Sequence, residues 1–342
     1  MNAAASTQNT CERLAPVIIL GVPRSGTTLL RVILGSHSTI FATAETPWIT
    51  GSYGDNSIRH LVEYLGANAF GENSTLPGAT AETAFESGQL FADHLLRAAL
   101  DKSGKQRVLL KTPDDVSRLD FLTKFFPASK FIHIYRDGRD VACSTVDQRD
   151  KMFSELLEGY GRLSVFTALQ RWCDWESGIR VWMASPAGKS AMTVQYEQLV
   201  ADPEPHIRCI CQFLGIDFEP GMMSYGEKSH SLPSYEAGAQ DVRRRPTIAS
   251  TSVGRWKSDI PPWDMRKIDE QFGGALVRLG YKKCCDEVDL SKAPLKPTRR
   301  QLKFSTQGEQ LRTARNLMRM LPRIPVKIAR EIRGAFQKAK LR

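Results

Sequence analysis

Residues 16–28 read PVIILGVPRSGTT, and the fold follows from them. Pro16 to Leu20 make a short apolar run of the kind that forms a buried strand. A turn bounded by Gly21 and Gly26 comes next, and the pattern predicts a helix over Thr27–Gly35. Gly21 to Thr28 fit the phosphate-loop frame G-x-x-x-x-G-K-[ST] except at one position: Thr27 stands where a nucleoside triphosphatase carries lysine. Glycine lets the backbone approach a ligand closely, and the N–H groups of a helix start point at an anion. The missing lysine normally reaches the β- and γ-phosphates beside Mg²⁺. The loop is therefore expected to hold a phosphate-like group other than a nucleoside triphosphate tail.

Working outward, Val108–Lys111, Lys130–Tyr135 and Ala191–Tyr196 are further short apolar runs bounded by turn or charge signals. Helical patterns separate the strands: Ala84–Leu100, Arg118–Phe125, Gly138–Gln148, Thr167–Ala184, Pro205–Leu214 and later Trp263–Gly280. This rhythm predicts an α/β fold, a parallel sheet of the P-loop type flanked by helices. Such sheets bind ligands at the carboxyl ends of their strands. Gly21, Lys111, Arg136 and Tyr196 all fall at strand ends, so one crevice is expected to gather them. Tyr225–Ser252, rich in Ser, Pro, Gly and Arg, reads as a long loop.

The chain has 342 residues, 42% apolar and 25% charged, an ordinary globular composition. Ala15–Val22 is too short to span a bilayer, and the N-terminus lacks a basic stretch leading into an apolar one, so no secretory signal is expected. Seven scattered cysteines suit a reducing cytoplasm better than a disulfide framework. Cys209 and Cys211 lie in a helical pattern and read as packing residues; no metal-ligand spacing is found. The net charge of +10 is unevenly placed. Residues 291–342 carry fifteen Lys/Arg against two Asp/Glu, which leaves the preceding body at −3. The expected organisation is a flexible N-terminus over 1–14, a catalytic domain over 15–285 and a basic helical extension over 286–342.

Four segments carry a functional reading: PRSGTTLLR (23–31), FIHIYRDGRDVACST (131–145), VQYEQLVADPEPHIRCICQFLGI (194–216) and SVGRWKSDIP (252–261). In this order they resemble the sulfotransferases that use 3′-phosphoadenosine 5′-phosphosulfate (PAPS). The resemblance implies that Arg24, Ser25, Gly26, Thr27 and Thr28 hold the 5′-phosphate and sulfuryl oxygens. It places Arg136 and Ser144 on the 3′-phosphate, Tyr196 at the adenine, and Arg255 and Lys257 in a loop closing over the 3′-phosphate. HSTIFATAETPWI (37–49) is similar to the catalytic-glutamate segment of the tyrosylprotein sulfotransferase branch. There Glu45 matches the general base, and Lys111 in LLKTP the catalytic lysine. Pro47, Ala42, Leu110 and Gly254 depart from that branch, where an arginine, a disulfide pair and a serine stand; the departures fit a cytoplasmic relative.

The implied chemistry is in-line sulfuryl transfer to a hydroxyl of a glycan, lipid or phenol, dominated by positioning and charge stabilisation. Arg24 and Lys111 supply positive charge, so PAPS is the one co-substrate expected and no metal is required. Other readings stand beside this one. His37, after the phosphate-loop helix, is a rival base or only caps that helix. Arg136 and Arg139 could pair with Asp137 and Asp140 on a solvated surface. The whole chain could be a P-loop kinase for a small hydroxylated substrate, or a catalytically silent nucleotide-binding protein at a membrane.

In the extension, Gln310–Leu321 and Ile328–Ala339 are helical in pattern, the second with an apolar face and a basic face. A basic amphipathic helix suits an anionic membrane surface, at about 1 kcal/mol per nearby cation. That gives a peripheral attachment at the inner membrane face; a solvated terminus is the alternative. No nucleic-acid module accompanies the charge, so no nucleic acid partner is expected.

Overall fold

A computed structural model describes residues 13–51, 56–68, 80–153, 164–231, 242, 248, 250 to 289 and 298–305. The helical pieces expected at 310–321 and 328–339 lie outside the described residues. The chain forms two compact units, one of residues 1–136 and 174–251, the other of residues 137–173 and 252–342.

The first unit is built on five parallel strands: β1 (Val17–Leu20), β2 (Ile40–Ala42), β3 (Arg107–Lys111), β4 (Lys130–Tyr135) and β5 (Ala191–Gln195). Their order is β2-β3-β1-β4-β5. Ile19 lies opposite Lys111 on one side and Ile132 on the other, which fixes the register of the phosphate loop against both neighbours. The order reverses direction around β1, the place where such sheets open a crevice. Strand β2 was not read from the sequence. It is three residues long and at the sheet edge, too short to show a period.

Because the sheet is covered on both faces, its strands are apolar throughout, yet alternate residues serve different cores. Val17, Ile19, Leu109, Ile132 and Ile134 pack with α1 (Thr27–Gly35), α8 (Tyr196–Ala201) and α9 (Pro203–Leu214). Ile18, Leu20, Val108, Leu110 and Phe131 pack with α3 (Ile58–Asn68), α4 (Ala81–Ser103) and α5 (Leu119–Phe125). A one-turn helix, α2 (Pro47–Thr50), follows β2. Cys211 is a core residue, as its helical pattern implied, but Cys209 is exposed on the same helix and does not pack, because two residues on a helix turn the side chain away by about 200°.

The second unit contains α6 (Gly138–Phe153) and the first half of α7 (Val165–Ala184). It adds α10 (Trp256–Asp259), α11 (Pro262–Arg278), α12 (Cys284–Glu287) and α13 (Arg299–Phe304). Gly138 abuts Trp172, where a Cβ would meet the indole at 2.4 Å. Buried Val141, Leu169, Ile260, Ile268 and Leu276 supply apolar packing. Among the described residues no helix is long and apolar enough to cross a membrane.

Candidate active site

The phosphate loop is a strained turn between β1 and α1. Arg24 has φ 79° and Gly26 φ 97°. A positive φ costs a non-glycine residue about 1–3 kcal/mol and persists where the surroundings enforce it. Here the Ser25 amide bonds to the Val22 carbonyl and the Leu30 amide to that of Gly26, which closes the turn and starts the helix. Gly26 caps α1 without any side-chain hydrogen bond, so no side chain competes with an anion there. Ser25 Oγ is buried and has no hydrogen-bond partner among the described residues. A buried hydroxyl without a partner is costly, and an anion's oxygen would satisfy it. The buried Thr27 and Thr28 begin the helix.

Glycine is dictated twice. A Cβ at Gly26 would stand 2.4 Å from the Tyr196 ring, and one at Gly21 would stand 2.5 Å from the Ile134 carbonyl oxygen. Tyr196, first residue of α8, is buried. Its ring lies against the phosphate loop and under the Arg136 guanidinium, 4.5 Å from the ring centroid. Arg136 follows β4, is also buried, and donates from Nη1 to the Arg24 carbonyl at 3.2 Å. The structure thus brings Arg24, Ser25, Gly26, Arg136 and Tyr196 together in one unit. Tyr196 serves there as a spacer and a cation–π support; the sequence placed it at a strand end without showing that contact.

The second cluster lies one strand over. Lys111, at the end of β3 and 0% exposed, places Nζ 2.5 Å from Glu45 Oε1. Glu45 follows β2, the parallel neighbour of β3. Thr112 Oγ1 accepts from the Thr46 amide at 2.9 Å, fastening the two strand ends together. His37 lies at the other end of α1. Its Nε2 is 2.9 Å from the Asp217 carbonyl oxygen, and its Nδ1 accepts from the Thr39 amide at 3.1 Å. Nine helical residues separate it from the phosphate loop, about 13 Å along the axis. Both His37 ring nitrogens are engaged at the far end of the helix.

In the second unit, Ser144 is buried on α6. Arg255 and Lys257 are engaged in ion pairs. Arg255 Nη2 lies 2.7 Å from Asp147 Oδ2 and 2.7 Å from Asp259 Oδ2. Lys257 Nζ lies 2.6 Å from Glu287 Oε2. Burial works against the Arg255 charge, but hydrogen bonds and attraction from the two carboxylates raise its pKa above the usual arginine value. The loop itself hangs on Asp140, 0% exposed, which accepts from the Gly254 amide at 2.7 Å and the Trp256 amide at 3.0 Å. Arg139, likewise buried, donates to Asp137 and lies 3.7 Å from the Trp256 ring. The solvated-surface alternative for the RDGRD segment is therefore overturned: Arg136, Asp137, Arg139 and Asp140 are all buried. Asp140 was not singled out as a fastener, because its partners lie more than a hundred residues away.

No group of three or more His, Cys, Asp or Glu side chains among the described residues could hold a metal ion. The model of the sulfotransferase family matches residues 16–220. Nodulation protein NoeE of Sinorhizobium fredii is 25% identical over 286 residues, covering 77% of this chain and 65% of its own length. Protein-tyrosine sulfotransferase 1 of Danio rerio is 27% identical over 272 residues, covering 78% of this chain and 72% of its own. An uncharacterised Aquifex aeolicus protein is 28% identical, and there the match spans 30% of the relative's length. Among solved structures, the sulfotransferase domain from the curacin biosynthetic pathway superposes with a TM-score of 0.54 at 19% identity. It covers 79% of this chain and 99% of that one, a likeness of fold. On the extent of the family match, this chain belongs to the sulfotransferase family.

Proposed function

We propose that the chain moves a sulfuryl group from PAPS to an acceptor hydroxyl, with Glu45 as general base and Lys111 and Arg24 as the stabilising cations. The observation that carries this reading is the 2.5 Å Lys111–Glu45 pair at the sheet edge whose next strand leads into the phosphate loop. When bound, PAPS supplies a sulfuryl group on a phosphate leaving group and departs as adenosine 3′,5′-bisphosphate. The residues of the phosphate loop fit that end of the molecule: an uncapped helix start, a buried Ser25 hydroxyl and glycine at the point of close approach.

Glu45 takes the proton of the acceptor hydroxyl, and Lys111 turns from the carboxylate toward the oxygen on which leaving charge develops. A preformed pair suits both tasks, because it holds each group in place before the acceptor arrives. Arg24, with Thr27 and Thr28, faces the transferring oxygens. Arg136 offers a guanidinium fork to the 3′-phosphate. Ser144, Arg255 and Lys257 keep their proposed roles there on the resemblance of their own segments. Tyr196 holds Arg136 in place, whether or not it also meets the adenine.

The acceptor is proposed to be a hydroxyl compound, a class that includes the tyrosine residues for which the Danio rerio relative is named. Pro47, Ala42, Leu110 and Gly254 argue against protein tyrosine itself. The extents 15–285 for the catalytic domain and 286–342 for the extension remain part of the proposal. So do a cytoplasmic setting, read from the cysteine pattern, and attachment of the basic extension to an anionic inner membrane face.

Labelled-sulfate transfer across phenolic, glycan and lipid hydroxyls tests the reading, with ATP and Mg²⁺ as the control for a kinase. Glu45→Gln is expected to lower kcat about 10²–10⁴-fold with donor affinity nearly unchanged. A variant as fast as wild type removes Glu45 from the base role. Consumption of ATP in place of PAPS overturns the donor assignment.

A further inference from the structure

Helix α13 lies beyond the family match and brings part of the basic C-terminal stretch into the second unit. Thr298 starts it, accepting from the Gln301 amide at 3.1 Å while Gln301 Oε1 accepts from the Thr298 amide at 3.0 Å. Phe304 is buried, with the Arg255 guanidinium 5.8 Å from its ring centroid. Two cations of α13 then meet the carboxylates that grip Arg255. Lys303 Nζ lies 2.5 Å from Asp147 Oδ1, and Arg300 Nε donates to Asp259 Oδ1. Each carboxylate so divides its oxygens, Oδ1 to α13 and Oδ2 to Arg255.

The consequence is electrostatic. Without α13, Arg255 is one cation against two carboxylates, with the buried Asp140 close by under the same loop. An anion approaching that cluster meets a net negative field. Arg300 and Lys303 add one cation to each of the two carboxylates that grip Arg255. Hydrogen bonds from Lys303 and Arg255 prevail over burial and hold the Asp147 carboxyl below its ordinary pKa. Arg300 is raised above its usual value by Asp259. Both carboxylates are thereby occupied on both oxygens.

We propose that α13 is a positioning element for anion binding at Arg255: Arg300 and Lys303 neutralise Asp147 and Asp259, so that the Arg255 charge is available to the 3′-phosphate of the nucleotide. This inference rests on the reading of Arg255 as a 3′-phosphate ligand. It adds that the ligand works only with a helix outside the recognised motifs. Arg300 and Lys303 act through Arg255 and need not touch the nucleotide.

Calorimetric titration of the full chain with adenosine 3′,5′-bisphosphate and with adenosine 5′-phosphate separates the possibilities. The Arg300→Gln, Lys303→Gln pair is expected to weaken the bisphosphate about tenfold and the monophosphate less than about twofold. In turnover it raises KM for the donor and leaves kcat nearly unchanged. The charge-preserving pair Arg300→Lys, Lys303→Arg is expected to keep the preference for the 3′-phosphate. Lys303→Gln alone, which retains the Arg300–Asp259 pair, is expected to lose about threefold and serves if the double variant unfolds. Equal losses for both nucleotides, or none for either, overturn the role of α13. If the wild-type chain itself gains nothing from a 3′-phosphate, the reading of Arg255 falls first and this inference with it.

Discussion

Arg24 sits at φ 79°, where a residue with a Cβ is strained and glycine is not. Its side chain must therefore contribute something that glycine cannot, and anion binding is the proposed return. Arg24→Gly is expected to leave stability unchanged or raise it by up to about 1 kcal/mol while abolishing tight nucleotide binding. Urea unfolding and nucleotide titration on the same preparation check this; a variant that loses stability and keeps binding contradicts it. Gly26 is the opposite case. Alanine there would drive a Cβ to 2.4 Å from the Tyr196 ring at φ 97°, so Gly26→Ala is expected to cost about 2–4 kcal/mol. Adding Tyr196→Ala removes the collision but not the strained φ, so the double variant is expected to regain only part of the loss. Full additivity in a double-mutant cycle would show that ring and loop do not touch.

At the scale of elements, the loop at 254–256 is fastened to the start of α6 by one carboxylate. Asp140 accepts two backbone N–H groups in a fully buried setting. Removing it leaves two donors without partners. Asp140→Ala is expected to cost about 2–4 kcal/mol, and Asp140→Asn, which keeps one acceptor oxygen, roughly half as much. Denaturant unfolding measures both; equal and small losses would mean that water replaces the carboxylate without penalty. Local patterning predicted most elements well. The runs at Val17–Leu20, Thr27–Gly35 and Lys130–Tyr135 carry turn signals at both ends, and the observed limits coincide with them. Strand β2 and helix α3 escaped. The first borrows its extended form from β3, to which Ile40 and Ala42 register, and a partner of that kind leaves no mark in the sequence of the strand itself.

On the scale of the whole molecule, acid should act on the second unit through its paired carboxylates. Burial raises the Asp147 carboxyl, but hydrogen bonds from Lys303 and Arg255 outweigh it, and the net shift is below the ordinary 3.8. Desolvation raises the Glu287 carboxyl too, but the hydrogen bond from Lys257 and the nearby Arg139 outweigh it and hold it below 4.5. A carboxyl depressed on folding adds stability that is complete above its unfolded pKa and is lost as pH falls through the folded one. The opening equilibrium read from amide exchange across residues 252–289, corrected for the intrinsic rate, is therefore expected to rise as pH falls below about 4.5, and Asp147→Asn to flatten that rise. A rise of the same size in the variant would assign the acid sensitivity elsewhere. The phosphate loop, the parallel α/β class and the family likeness are legible along the chain, because turn chemistry and apolar period act between near neighbours. Folding alone shows that Lys111 meets Glu45, that the Tyr196 ring lies under Arg136, and that α13 pairs with the carboxylates that hold Arg255. Those contacts join residues tens to more than a hundred positions apart, and strand order and helix packing, which chain order does not fix, bring their charges within bonding distance.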